Sequence, residues 1–219
     1  MSESAADPQA SAGTTDLAQK LKLATAPLHR QVERSGLMRR LLAGDFVPTD
    51  YVALLHDLAA LYGALEAALA RHGSHPWLAV VIDRALFRAD ALRRDLHALQ
   101  PAAQVALSPA AAAYVVRLQW LDQHDAGLLL AHAYVRYLGD LSGGQVVQRI
   151  VARTLGLTPP TGLRFYDFGG MPAVAARAEA FRHSLAALRL DADAVQALTV
   201  EAQWSFAQHA QMFIELDRR

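Results

Sequence analysis

Three glycines interrupt the stretch of this chain that is otherwise most strongly helical. Residues 131–145 read AHAYVRYLGDLSGGQ, and the apolar residues on both sides continue a helical pattern. Each glycine in a helix interior costs roughly 1 kcal/mol relative to alanine. Because residues four apart share a helix face, Gly139 and Gly143 leave one face without side chains. Two structures explain such a face: a close helix–helix contact, or a flat ligand lying directly on the backbone.

A carboxylate and a cation lie beside this bare face. Asp140 and Arg136 are also four residues apart, so the cation can hold the carboxylate next to the glycines. The simpler interpretation is an ordinary surface ion pair, which contributes about 1 kcal/mol at most. The choice between the two depends on the rest of the chain.

The remaining pattern predicts an all-α, single-domain protein. Residues 1–14 are small and polar without periodicity, so we expect a disordered tail ahead of a helical domain over 15–219. No segment alternates with the period of a strand. The predicted helices cover about 15–32, 36–42, 49–69, a helical hairpin over 77–99, then 108–120, 125–155, 173–188 and 192–216. Pro27 either kinks the first helix or starts a new one that Thr25 caps.

Composition excludes several functional classes. The chain has no cysteine, so it has no disulfide, no thiolate metal site and no cysteine nucleophile. Its formal net charge is zero, which implies no general attraction to nucleic acid or to an anionic membrane. The first residues lack a signal-peptide core, and no apolar run approaches the roughly eighteen residues of a membrane span. We therefore expect a cytoplasmic protein.

His29 is the candidate ligand that the spacing favours among nine histidines. The chain contains no Glu-x-x-His, His-Glu-x-x-His or Gly-x-Ser-x-Gly motif, which argues against a di-iron site, a zinc helix and a serine hydrolase. A lone histidine is usually a satisfied polar residue. His29, however, has Glu33 one turn later to orient its ring and Lys22 two turns earlier to meet an anionic ligand edge. Haem fits this set, with imidazole for iron and cations for propionates.

Two segments resemble one known family. Residues 131–145 are similar to the distal-helix signature of the haem oxygenases, and residues 21–33, which read LKLATAPLHRQVE, resemble the helix that carries the iron-ligating histidine in that family. Weaker similarity continues through 61–66, 165–168 and the last helix, so the resemblance covers about 17–216. It implies a helical bundle with haem sandwiched between a proximal and a distal helix.

The resemblance also implies roles for individual residues. His29 is expected to ligate the haem iron, and Glu33 to orient it. Asp140 is expected to anchor the water chain that supplies protons, with Arg136 and Tyr137 in the same polar network. Gly139, Gly143 and Gly144 are expected to let the distal helix close over haem. The expected propionate contacts are Lys22, Tyr134 and Arg182. The family has a further basic residue where this chain has Ala178, and Arg177 is the nearest cation to that position.

The implied reaction is the cleavage of haem b, both substrate and cofactor, by O2 and an external electron donor to biliverdin, carbon monoxide and iron. The match favours opening at the alpha position. The implied partners are a reductase or ferredoxin and a bilin acceptor such as a bacteriophytochrome, and we expect a monomer. Iron acquisition and chromophore supply both stay open as purposes. The alternatives are a non-catalytic haem binder, a thiaminase-like enzyme, which the lack of cysteine disfavours, and a purely structural helical protein.

Overall fold

The computed structural model describes residues 16–99 and 106–218, and this part of the chain contains helices and turns but no strand. Its α-helices are α1 Leu17–Glu33, α2 Gly36–Ala43, α3 Pro48–Arg71, α4 Ala89–Leu99, α5 Pro109–His124, α6 Leu129–Ala133, α7 Gly139–Leu155, α8 Gly170–Ala187 and α9 Ala192–Leu216. The predicted all-α fold is therefore confirmed. The predicted disordered tail at 1–14 lies outside the described residues.

The first helix runs through Pro27 without ending there. The side chain of Asp16 caps α1 by accepting a hydrogen bond from the Ala18 amide at 2.9 Å. The Thr25 hydroxyl donates instead to the Leu21 carbonyl at 2.7 Å, so a second helix capped by Thr25 is not formed. Pro27 removes the partner of the Leu23 carbonyl, but both residues are exposed, so water can replace the lost bond.

The segment with the glycines is one continuous helix with an irregular centre. A 3-10 turn at Ala126–Leu128 leads into α6, a π-helical turn follows at Tyr134–Leu138, and α7 begins directly at Gly139. We call residues 129–155 the glycine helix. Its predicted extent is confirmed, whereas the π turn has no signal in the spacing of apolar residues. Single π turns are rare and occur often at functional sites.

The predicted helical hairpin over 77–99 is wrong in its first half. Residues 72–81 form turns, a 3-10 turn follows at Arg84–Leu86, and only α4 is an α-helix. Trp77 packs so closely on Gly127 that a Cβ there would lie 2.7 Å from its ring, and this tertiary contact overrides the local helical pattern. Arg88, just before α4, is buried, and its guanidinium donates to loop carbonyls including that of Asp167.

Helices α3 and α9 organise the core. α3 packs against α4, α5 and α6, and α9 packs against α1, α2, α5 and α6. Among the described helices, α3 is the one with the length and mean hydropathy of a membrane span, and 67% of that window is buried inside the protein. A core helix has the same properties. α1 and the glycine helix both pack against α8 and α9.

Candidate active site

A cleft of about 590 Å³ separates α1 from the glycine helix. Lys22, Thr25, His29 and Arg30 line it from α1, and Tyr134, Leu138, Gly139 and Ser142 line it from the glycine helix. Arg182 of α8 and Phe206 of α9 complete the walls. The cleft therefore collects five of the predicted site residues, namely Lys22, His29, Tyr134, Gly139 and Arg182. Its volume is within the ordinary range for sites that bind small molecules and cofactors.

His29 presents an accessible imidazole on the α1 wall. Its side chain is 52% exposed, and its Nδ1 lies 3.7 Å from Glu33 Oε1, too far for a direct hydrogen bond but close enough for attraction or a bridging water. The Phe206 ring meets the imidazole edge-on, with ring centroids 5.9 Å apart. Because Glu33 lies on the Nδ1 side, Nε2 is the nitrogen left to bind a ligand in the cleft.

The opposite wall shows which of the two explanations for the glycines is correct. A Cβ added at Gly139 or Gly143 would meet no atom within 4 Å. No helix of the described chain therefore covers this face, and a helix–helix contact does not explain these two glycines. Gly144 differs, because it is buried and a Cβ there would lie 3.6 Å from the Tyr166 ring. The structure thus places Gly139 and Gly143 on the open face and Gly144 against the core.

Cations and one tyrosine surround the mouth of the cleft. Lys22 and Arg30 project from α1 and Arg182 from α8, and all three are exposed. Burial raises the pKa of Tyr134, while Thr25 and Arg182 beside it act in the opposite direction. Arg30 was not predicted. Arg177, which was predicted, does not line the cleft, and its buried Nε has no hydrogen-bond partner within the described ranges.

Asp140 lies behind the glycine face in a buried triangle of hydrogen bonds. Its Oδ1 accepts from Arg136 Nη2 at 2.9 Å, and its Oδ2 accepts from the Tyr62 hydroxyl. Arg136 Nε donates to the same Tyr62 oxygen at 3.1 Å. Arg136 Nη1 lies 2.9 Å from His209 Nε2. The predicted pairing of Arg136 with Asp140 is therefore present as a buried ion pair in the structure, and not as a surface one.

The charge on Asp140 reflects two opposed effects. Burial raises the pKa of its carboxyl, whereas Arg136, the Tyr62 hydroxyl and the more distant Arg88 lower it. Burial alone would lower the pKa of Arg136, but Asp140 more than compensates and the pKa is raised. Each member of the pair therefore favours the charged form of the other, although burial leaves the pKa of Asp140 raised on balance. In its charged form the carboxylate only accepts hydrogen bonds, so it would orient the hydrogens of a neighbouring donor such as water.

The polar network continues through the core to the surface. His209 Nδ1 lies 2.8 Å from the Ser205 carbonyl, and Ser205 Oγ lies 2.5 Å from the Tyr114 hydroxyl. Next along the network are contacts of His132 with Tyr114 at 2.8 Å and with Glu201 at 2.9 Å. Burial would raise the pKa of Glu201, but His132 and Arg117 hold it down to about 2. Buried polar groups of four helices are thus satisfied by one another.

Tyr137 does not join this network by hydrogen bonding. Its ring packs among Tyr62, Phe87 and Phe181, and its buried hydroxyl makes no hydrogen bond to Arg136 or Asp140. Tyr62 and His209, which both contact Arg136, were not predicted as site residues. Both lie on apolar helix faces, where their spacing is that of core residues. Tyr62 falls in the weakly similar segment 61–66, which is the one signal that pointed to it.

The cleft fits haem on three features of this structure. One wall is open backbone, on which a flat ring can lie. The other wall carries an exposed imidazole whose second nitrogen faces a carboxylate, the arrangement that metal-binding histidines usually have. Cations border the opening, where two propionates would reach solvent.

Comparison with known proteins agrees with this geometry. The family model described as "Heme oxygenase" matches residues 15–215. The chain belongs to the haem oxygenase family. It is 32% identical over 207 residues to "Heme oxygenase 1" of Nostoc, with 93% of this chain and 87% of that protein covered. It is also 32% identical over 214 residues to "Heme oxygenase 1" of Homo sapiens, with 95% and 74% covered.

Solved structures of the family show the same fold. The haem oxygenase of Leptospira interrogans superposes with a TM-score of 0.87 at 29% identity, covering 92% of this chain and all of that one. Heme oxygenase-2 of Synechocystis, solved in complex with heme and NO, has a TM-score of 0.88 at 32% identity, covering 92% and 85%. The chain is accordingly an enzyme of this family, whose general reaction converts haem to biliverdin, carbon monoxide and iron.

Proposed function

We propose that this haem oxygenase binds haem b in the cleft between α1 and the glycine helix and opens the ring at the alpha meso carbon. The observation that carries the proposal is the open face at Gly139 and Gly143 across from the exposed His29 imidazole. When bound, haem supplies both the iron that activates O2 and the carbon that is oxidised. The protein supplies the iron ligand, the orientation of the ring and the protons.

His29 is the residue that would hold the haem iron, through Nε2. Glu33 lies 3.7 Å from Nδ1 and would orient the imidazole by attraction or through a bridging water. Phe206 limits rotation of the imidazole by packing against it edge-on. These two contacts hold the ring without enclosing it, so that it stays accessible when the cleft is empty.

Asp140 is the proposed proton-relay anchor on the other side of the ring. Its oxygens accept from Arg136 and Tyr62, and in the charged form that Arg136 favours they would also accept from a water between Asp140 and the ring. A water positioned in this way is a weaker acid than a histidine or carboxylic acid in direct contact with the reacting oxygen would be. The bare backbone at Gly139 and Gly143 lets the glycine helix lie close to the ring and restricts which meso carbon can react.

The cations at the mouth of the cleft are proposed to bind the propionates. Lys22 projects from α1 and Arg182 from α8, and Tyr134 lines the same cleft from the glycine helix as a neutral donor. Arg30 is a fourth candidate that the structure adds. Arg177 would have to leave its buried position to take part, so we place it last among the propionate contacts.

The chain's partners are proposed from the reaction. It needs an external electron donor, either a reductase or a ferredoxin, and it releases a bilin to an acceptor such as a bacteriophytochrome. We propose that the protein acts as a monomer in the cytoplasm. A haem binder without turnover would use His29 but would have no use for a buried Asp140–Arg136 pair beside the open face. That pair is the observation that favours turnover.

The decisive experiment combines haem titration with product analysis. The purified chain should give a histidine-ligated haem spectrum and, with an electron donor under air, form biliverdin IX-alpha, carbon monoxide and iron. His29→Ala should abolish both the ligation and the turnover. His97→Ala, on the exposed end of α4 and outside the cleft, is the matched control and should change neither. Unchanged ligation and turnover in His29→Ala would remove His29 from the site.

A further inference from the structure

His209 is a fully enclosed histidine in direct contact with the site, and neither the fold nor the reaction as proposed assigns it a role. It lies on α9, 2% exposed, with both ring nitrogens in contact with polar groups. Nε2 lies 2.9 Å from Arg136 Nη1, and Nδ1 lies 2.8 Å from the Ser205 carbonyl oxygen. The Tyr114 ring stands perpendicular to the imidazole, with ring centroids 5.1 Å apart.

The partners determine where the proton on this ring must be. A guanidinium can only donate, so His209 Nε2 must accept from Arg136 and carries no hydrogen. A carbonyl oxygen can only accept, so Nδ1 must carry the hydrogen and donate to Ser205. The ring is thus neutral and in a single tautomer. A second proton on Nε2 would put two N–H groups against each other at 2.9 Å, which is repulsive.

The other groups that face His209 favour the same state. Arg136 and His132 approach from the glycine helix and Tyr114 from α5. Burial lowers the pKa of His209 well below its usual value, and the positive charge of Arg136 lowers it further, against a smaller opposing effect of the Ser205 carbonyl. The ring therefore stays uncharged throughout the neutral range.

A neutral acceptor at this point has a specific effect on Arg136. All three guanidinium nitrogens are bound, Nε to Tyr62, Nη2 to Asp140 and Nη1 to His209, so the plane of the group is fixed. A carboxylate in place of His209 would compete with Asp140 for the positive charge. An apolar side chain would leave Nη1 unsatisfied and free the guanidinium to rotate. A neutral imidazole orients the Arg136 guanidinium without competing with Asp140 for its positive charge.

We propose that His209 is a positioning residue that orients the Arg136 guanidinium as a neutral hydrogen-bond acceptor, so that the charge of Arg136 is directed to Asp140. The proposal rests on the proposed function in one respect, the part that Asp140 plays in turnover. The geometry of the three side chains does not depend on that function, and it can be tested in the protein without haem.

The first test is nuclear magnetic resonance of the haem-free protein. Nitrogen-15 spectra of the histidine side chains, assigned with His209→Gln, should show His209 in the Nδ1–H tautomer and uncharged from pH 5.5 to 8. The Arg136 Nε–H signal should be protected from exchange with water in the wild type and in His209→Gln, whose amide oxygen can replace Nε2 as the acceptor. In His209→Leu that protection should fall roughly tenfold or more. A protonated ring, an Nε2–H tautomer, or equal protection in the Leu variant would overturn the proposal.

The second test measures the coupling of electrons to product in the haem-loaded enzyme. His209→Leu should bind haem as the wild type does but release a larger share of reduced oxygen as hydrogen peroxide, with the biliverdin yield per electron pair down roughly tenfold. His209→Gln should restore most of that yield, and His209→Asp should lose as much as His209→Leu. Full coupling in both the Leu and the Asp variants would reject the role of His209.

Two controls separate the possible failures. His124→Leu removes a histidine from the exposed end of α5, outside the network, and should leave both readouts unchanged. If the wild type itself forms no biliverdin, the proposed function fails. The magnetic resonance test of His209 uses the haem-free protein and does not depend on that outcome. If His209→Leu does not fold, the tautomer and His209→Gln measurements decide the proposal.

Discussion

At the scale of single residues, this site is built from charges that the fold makes interdependent. Asp140 is 9% exposed and Arg136 is largely buried, and each favours the charged form of the other. Removing one member of such a pair is far more costly than removing both, because it leaves an uncompensated buried charge. The consequence is that substitutions at Asp140 must preserve shape if they are to report on chemistry.

Asp140→Asn is the substitution that meets this condition. It retains the size of the side chain and one acceptor oxygen but loses the charge that orients water. We expect haem binding to be retained and the rate of biliverdin formation to fall by roughly a hundredfold, the range for loss of a positioned proton-transfer group. Single-turnover absorption spectroscopy measures both. Asp90→Asn, an exposed carboxylate on α4, is the control, and ring opening at the wild-type rate in Asp140→Asn would exclude Asp140 from proton delivery.

Residue patterns predicted part of the site and missed the rest for a physical reason. Helical neighbours lie three or four residues apart, so local spacing predicts which side chains share a helix face. This spacing pointed to His29 with Glu33, to Arg136 with Asp140, and to the glycines. The partners of Asp140 and Arg136 come from other helices. Tyr62 of α3 and His209 of α9 are 78 and 73 residues away from the groups they bind, so no helical periodicity relates them. Their identity depends on which helices pack together.

At the scale of secondary-structure elements, the glycine helix combines two demands that conflict. Good helix formers would strengthen it, and an open backbone face weakens it. The π turn at Tyr134–Leu138 ends where the open face begins, at Gly139. The same stretch therefore contains an irregular turn and helix-weakening glycines. Its stability comes from packing on α9 and α8 rather than from its own sequence.

Gly139→Ala, at the open-face glycine that lines the cleft, should separate these two demands. The new methyl group would meet no protein atom within 4 Å, so the haem-free protein should gain up to about 1 kcal/mol in free energy of unfolding from helix propensity. The methyl group would occupy the space proposed for the ring, so haem affinity should fall roughly tenfold. Urea denaturation and haem titration measure the two effects.

Gly63→Ala is the matched control for this prediction. Gly63 lies inside α3 and also has no atom within 4 Å of its Cβ position, but it is remote from the cleft lining. It should show the gain in stability without the loss of affinity. Equal haem affinity in Gly139→Ala and the wild type would mean that the ring does not lie on this face.

Among the elements, long amphipathic helices were predicted well and short irregular ones were not. Helices α2 and α7 end close to their predicted ends, at Gly44 and Gly156, and both residues adopt left-handed backbone conformations at C-caps. The residues around Trp77 were assigned to a helix because their apolar spacing allows one. Trp77 instead packs on Gly127, a contact across about fifty residues that local periodicity does not contain.

At the scale of the whole molecule, the all-α class followed from composition and periodicity, while the layout of the buried polar groups followed from tertiary packing. Glu66 of α3 illustrates this. Its carboxyl accepts hydrogen bonds from the backbone amides of Arg88 and Ala89, and so caps α4 from another helix. Burial raises its pKa from 4.5 to about 7, against the opposing effect of those amides and of Arg88.

This pKa gives the stability of the molecule a defined pH dependence. A carboxyl whose pKa is raised by folding favours the folded state below its ordinary pKa, and that contribution is lost as the pH rises through about 7. The free energy of unfolding should therefore fall by roughly 3 kcal/mol between pH 4.5 and 7.5 relative to Glu66→Gln, which does not titrate. Glu179→Gln, on an exposed position, should follow the wild type. Parallel pH profiles for the wild type and Glu66→Gln would contradict this assignment.

The two walls of the cleft are connected mainly through α8 and α9, so a ligand bound between them adds a second connection. In the proposed site, haem between His29 and the glycine face would link the two walls of the cleft directly. The reaction consumes this link between the two walls. We therefore expect each turnover to end with the two walls less firmly connected than in the haem complex, and with the cleft free for the next haem.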